Sequence, residues 1–195
     1  QPQLKTAIEK SLAKIEREVM GKIESLAIRV PIFEAIKHLI VGGNVLCHMP
    51  KEGSMRVFPL NQYVCKRDGE GNLLEIVVKE TVSVLGLDEE VREQVLQQMS
   101  KEDAKSETHC DLYTHIYKLG DKKFYVCQEV KGIKIPSSVG EHNVDQLPWL
   151  ALRMVRVDSE SYGRSYVEEF IGDLKSLEGL SQALVESAAA SAKMV

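Results

Sequence analysis

The sequence predicts an α+β fold, with a long helix and a helical hairpin at the N-terminus, a central antiparallel β-rich body of about six strands, and a long C-terminal helix. Three observations carry that expectation. Ile8, Leu12, Ile15, Val19, Ile23 and Leu26 recur at steps of four and three, the spacing of one helix face. Between residues 45 and 157 the chain breaks into short runs rich in Val, Ile, Tyr and Thr, punctuated by glycine-bearing turns such as DGEGN. From residue 165 the helical spacing returns in SYVEEFIGDLKSLEGLSQALVESAAASAKMV.

Each element has a local cause. The apolar seam of residues 1–28 is expected to bury against the body, and the Lys and Glu of its other positions form a solvated face. Pro31 suits a first helical turn, so a second helix is expected from about Pro31 to Val41, ended by Gly42 and Gly43. VLCHMP and MRVFPL read as short strands, and QYVCKR and LLEIVVKETVSV as a hairpin about DGEGN, whose glycines supply the positive φ of a tight turn. Asp88 is placed to cap a short helix, DEEVREQVLQQM, followed by the polar loop SKEDAKSE. A second hairpin joins HCDLYTHIYK to KFYVCQEV around Gly120. IKI and WLALRMVRV are further strands, separated by PSSVGEHNVDQLP, which its Pro and Gly mark as a loop.

The C-terminal transition is the most legible part. Ser165, with Glu168 three positions on, has the spacing of a capping box. Glu168, Glu169 and Asp173 place negative charge at the positive end of the helix dipole, and Val167, Phe170, Ile171, Leu174, Leu177 and Leu184 form a stripe that must pack against something. The last residues, SAAASAKMV, carry no stop signal, which leads to the expectation that the chain is a piece of something longer. Small side chains there either let backbones approach closely or are simply acceptable in a helix.

Composition excludes several classes. An apolar content of 44%, a charged content of 28% and a length of 195 residues fit one or two globular domains. No apolar run approaches the roughly 20 residues of a membrane span, and a net charge of −4 argues against a broad phosphate-gripping surface. Cys47, Cys65, Cys110 and Cys127 form no CxxC pair and read as reduced core thiols. A metal site from His109, Cys110, His115 and Cys127 is disfavoured because strand alternation points Cys110 away from both histidines. There is no phosphate loop, dinucleotide fingerprint, nucleophile elbow or zinc-protease motif, so no catalytic activity and no cofactor are expected. A site from Asp111, His115 and Cys127 lacks a positioned third group, and His38 reads as a helix-surface side chain.

Arg153, Arg156 and Arg164 form a basic cluster facing the acidic first turn that holds Glu168. Two readings stay open: a local ion-pair network at the strand-to-helix corner, or a contact with a neighbouring copy through the planar guanidinium fork.

At these residues the chain resembles a known family. RMVRVDSESYGRSYVEEFIGDLKSLEGL is similar to the signature of the portal proteins, or head-to-tail connectors, of short-tailed bacteriophages. The likeness extends less tightly through HLIVGGNVLCHMP, QYVCKRDGEGN and DLYTHIY. It implies a ring, usually of twelve copies, at one capsid vertex of the virion, made in the bacterial host cytoplasm. Double-stranded DNA would pass through it during packaging and ejection without sequence-specific binding. Residues 1–157 would then be a wing-like α+β domain, and 158–195 the turn and first part of a stem helix. Terminase, capsid and tail adaptor proteins would be the partners of the full assembly. The rival reading is a stand-alone α+β protein-interaction module with no catalytic activity.

Overall fold

The computed structural model describes residues 2–51, 53–98 and 109–192. Helices α1 (Pro2–Ser25) and α2 (Arg29–Gly42) lead into two antiparallel sheets. The smaller sheet has the order β2-β1-β8, from β1 (Asn44–His48), β2 (Arg56–Phe58) and β8 (Trp149–Arg153). The larger is a meander, β3 (Tyr63–Arg67), β4 (Leu73–Ser83), β5 (His109–Leu119), β6 (Lys123–Val130) and β7 (Ile133–Asn143). Helix α3 (Glu89–Gln98) is inserted between β4 and β5, and α4 (Tyr166–Glu169) and α5 (Ile171–Ala192) close the described chain. The fold is thus α+β as the periodicities require, with eight strands in two sheets among the described residues where about six were expected.

The small sheet is the middle layer. On β1, Val45 and Cys47 pack with Ala35 and Leu39 of α2, while Leu46 on the opposite face joins Phe58, Trp149, Ile76, Val78 and Ile116 in a core shared with the large sheet. Alternating side chains of one central strand therefore bind two layers, and the strand is covered on both faces. A second core lies at the far end of the meander, where Val91 and Val95 of α3 meet Cys110, Leu112, Val130 and Ile135.

Three expectations are corrected. The segment read as the loop PSSVGEHNVDQLP is mostly strand, since β7 runs to Asn143. Pro136 is tolerated because β7 is a sheet edge. The ladder is bulged between Val126 and Gln128, where Ser138 Oγ accepts from the Gln128 N–H at 2.8 Å in place of a backbone carbonyl. Next, the seam of α1 does not bury against the body: Ile8, Leu12, Ile15, Val19 and Ile23 are between 41% and 60% exposed, and only Leu26, in the turn beyond the helix, is half-buried. Finally, β8 stops at Arg153: the Met154 N–H still donates to the carbonyl of Gly43, the next position in register, at 2.8 Å, but the Gly43 N–H is taken by the Leu39 carbonyl at the end of α2. The loop SKEDAKSE and the residues KMV at the chain's end lie outside the described residues, as do Met99 and Thr108.

The turns follow their residue types. Gly43 ends α2 at φ +69°, its N–H donating to the Leu39 carbonyl at 2.9 Å. Asp68 holds the first hairpin, its carboxylate accepting from the backbone N–H groups of Glu70 and Asn72 at 3.0 and 2.7 Å.

Candidate functional site at the strand-to-helix corner

Residues 153–165 lead from β8 into α4, and they are held from three directions. The first anchor is Asn44, at the start of β1. Its side chain accepts from the Gly163 N–H and donates to the Gly163 carbonyl, both at 2.7 Å, and donates to the Gly42 carbonyl at 3.1 Å. The residue is 4% exposed, so its amide is fully used in a site that water scarcely reaches. The approach is close enough to require glycine on both sides. A Cβ on Gly43 would lie 2.5 Å from the Arg164 carbonyl carbon, and one on Gly163 2.6 Å from the Val155 oxygen. Val155 and Arg164 close the loop with two backbone hydrogen bonds of 3.1 and 3.0 Å.

The second anchor is Arg67, at the end of β3. Its guanidinium donates to the carbonyls of Ala151 (2.7 Å), Gly71 (3.0 Å) and Ser161 (3.2 Å), and its N–H donates to Ser161 Oγ at 3.2 Å. One side chain thus ties the hairpin turn, the edge strand of the small sheet and the corner loop together, using the fixed fork that a lysine lacks. Nearby, the Cys65 N–H donates to Tyr162 Oη at 3.0 Å.

The third anchor is the helix start. Ser165 is buried in extended geometry, and its Oγ accepts from the Glu168 N–H at 2.9 Å. The helix is not continuous: Phe170, at φ −103° and ψ 15°, separates α4 from α5. Beyond it the stripe is exposed, from 44% at Leu174 to 72% at Leu184.

The three arginines lie in this corner with backbone carbonyls and carboxylates as partners. Arg153 donates to the Glu160 carbonyl at 2.9 Å, and Arg156 donates to the Glu70 carbonyl and lies 3.4 Å from the Asp158 carboxylate. Arg164 is 3.8 Å from the Glu160 carboxylate. Glu168 takes part through its N–H, and none of the three arginines pairs with its carboxylate. Partial burial, then the neighbouring Arg67 and Arg156, push the Arg153 pKa down, and Arg67, Arg153 and Arg156 crowd around Gly71, where a Cβ would lie 2.8 Å from Arg153 Nη2. Carbonyl oxygens, aimed inward by the turns, hold this cationic cluster together.

Sequence reasoning missed Asn44 and Arg67. GGN reads as a helix stop and KR as a strand end, and no local pattern announces a partner about a hundred residues away. The signal available was the pair of glycines, 43 and 163, each beside a polar residue without a periodic role.

Other candidate groups are dispersed. His115 pairs with Glu75 at 2.7 Å, whereas Asp111 pairs with Lys79 at 2.9 Å. His38 lies 3.9 Å from Glu34 on α2. Among the described residues no cluster of three or more His, Cys, Asp or Glu is arranged to hold a metal ion, and no helix is long and apolar enough to cross a membrane. A cleft of about 640 Å³ between the sheets is lined by His48, Gln128, His142 and Trp149. There His48 stacks on Trp149 at 3.9 Å, and burial, then Arg56 and His142, lower its pKa to about 4, so it is neutral near pH 7.

The described residues form a two-sheet body from which the last helix departs through a hydrogen-bonded corner. The family model described as the bacteriophage head to tail connecting protein matches residues 1–195, and the chain belongs to that family. It is 40% identical over 194 residues to the portal protein of Escherichia phage T7 and 41% identical over 195 residues to that of Enterobacteria phage T3, in both cases 96% of this chain. The portal protein of Enterobacteria phage SP6 is 29% identical over 185 residues, 95% of this chain. The chain spans about 36% of the length of these relatives.

Proposed function

We propose that this chain is the wing and the beginning of the stem of a portal subunit, a structural protein that assembles into a ring at the capsid vertex and serves as the conduit for DNA packaging and ejection and as the platform for head–tail joining. The observation that carries the reading is the family match across residues 1–195, with portal proteins as relatives. The division falls after residue 157, within the corner loop. Supporting it, the core residues gather before that point, and every large apolar side chain of α5 is exposed beyond it.

In this reading Arg153, Arg156 and Arg164 hold the corner within one copy, supported by the backbone carbonyls that Arg153 and Arg156 reach and the carboxylates beside Arg156 and Arg164. The net charge of −4 suits a conduit, since a basic lining would retain phosphates by counterion release. The partners are further copies of the chain, twelve in the ring, with terminase, capsid and tail adaptor proteins. DNA passes without base-specific contacts, and the assembly resides in the virion after synthesis in the host cytoplasm. Electron microscopy of the purified whole protein tests this. Closed rings with an axial opening are expected, and a stable monomer or two-fold dimer at high concentration contradicts it.

A further inference from the structure

Two helices leave long apolar seams against solvent, and the seams match. On α1, Ile8, Leu12, Ile15, Val19 and Ile23 advance by fours and threes. On the C-terminal segment, Phe170 at the α4–α5 junction and Leu174, Leu177 and Leu184 of α5 follow at steps of four, three and seven, with Ser181 inside the last step and Ile171 and Val185 alongside. The α1 seam covers fifteen steps and the C-terminal one fourteen, roughly 21–22 Å at the helical rise, and both stay close to the 3.6-residue helical repeat, which lets two helices pack along their length. At the elbow of α1 and α2 the α1 seam runs into an apolar groove of about 630 Å³ lined by Ile23, Ile28, Ile32 and Phe33.

Charge selects among the pairings. Helices α4 and α5 carry Glu168, Glu169, Asp173, Glu178 and Glu186 against Lys175 alone, so pairing α5 with another α5 opposes like charge. Helix α1 carries Lys5, Lys10, Lys14, Arg17 and Lys22 against Glu9, Glu16, Glu18 and Glu24, and is slightly positive. Symmetry selects too. A ring of identical copies needs a heterologous contact made by two different faces of each copy, whereas α1 on α1 is self-complementary and closes at a dimer.

We infer that the α1 seam of one copy docks along the α5 stripe of the next copy, so that each subunit both offers and receives a helix. The inference rests on the ring reading above and adds the identity of the two faces. Both seams are exposed in the described residues, as a contact between copies requires.

The whole protein carrying a photo-crosslinking phenylalanine analogue at Leu12 tests the pairing. Isotopically heavy and light chains are co-assembled, ring formation is checked by electron microscopy, and cross-linked peptides are mapped after illumination. Expected are mixed heavy–light pairs joining Leu12 to residues 166–192, and the reciprocal probe at Leu177 should label α1. Rings in which the probes label only their own copy, another α1, or a segment outside α4 and α5 overturn the pairing and leave the ring reading intact. Absence of any ring from the unsubstituted protein overturns both. A second variant, Val19→Asp, should retain the sheet signature in circular dichroism and lose rings; unchanged ring yield counts against the inference.

Discussion

The Asn44 side chain and the Gly163 backbone exchange two hydrogen bonds, each 2.7 Å long, across 119 positions of sequence. They join the first strand of the fold to the loop that launches the last helix. Because Asn44 is 4% exposed and Gly163 is half-buried, removing the amide leaves the Gly163 N–H and carbonyl without their protein partner. Asn44→Ala is expected to cost about 2–4 kcal/mol in chemical denaturation. Asn44→Asp keeps the acceptor for the Gly163 N–H but turns a carboxylate oxygen toward the Gly163 and Gly42 carbonyls, and should cost at least as much at neutral pH. Equal stability of the wild type and Asn44→Ala contradicts the assignment.

Gly43 must take φ +69° while the backbone of Arg164 passes close enough to touch a Cβ at 2.5 Å. Gly43→Ala therefore meets both backbone strain and a clash with main chain that cannot swing away. The expected loss exceeds about 2 kcal/mol, more than the few tenths typical of an exposed surface change. Gly42→Ala, with open space around it, serves as the control and should be nearly neutral or stabilising.

Ser165→Ala removes the oxygen that accepts from the Glu168 N–H. A cost of about 1 kcal/mol is expected, read as faster amide exchange in residues 166–170. Unchanged exchange there counts against the cap.

Replacing Arg67 separates charge from geometry. Arg67→Lys keeps a cation but supplies one ammonium for carbonyls of Ala151, Gly71 and Ser161 that lie in different elements. It should lose most of what Arg67→Ala loses, with increased exchange at both the hairpin turn and residues 159–163. Full rescue by lysine would show that the corner needs only a positive charge.

His48 gives the pH dependence its sign. Its pKa is lowered to about 4 in the folded chain, chiefly by burial, so the unfolded chain binds the proton more readily. Stability is fully present above the unfolded value near pH 6.5 and falls as pH drops toward 4, by on the order of 2 kcal/mol. His48→Phe keeps an aromatic ring on Trp149 and should flatten this part of the profile. A slope unchanged between pH 4 and 6.5 assigns the proton elsewhere.

Local chemistry was legible and long-range chemistry was not. Ser165 with Glu168, Gly43 after α2, and the hairpins at Gly71 and Gly120 are short-range events fixed by residue type. The edge position of β7 was hidden because Pro136 is forbidden only if the strand is central, which depends on topology. The α1 seam read as core because periodicity reports that a face is apolar and says nothing of what covers it. Asn44 and Arg67 were missed for a related reason: their partners are backbone atoms of distant residues, which carry no sequence identity.

A cryo-electron microscopy reconstruction of the whole protein tests the central claim most directly. The account predicts a closed ring in which Asn44 meets Gly163, and Arg153, Arg156 and Arg164 keep their carbonyl and carboxylate partners, within each copy. Corner arginines that reach instead to carboxylates of a neighbouring copy, or a particle that is not a ring, would contradict it.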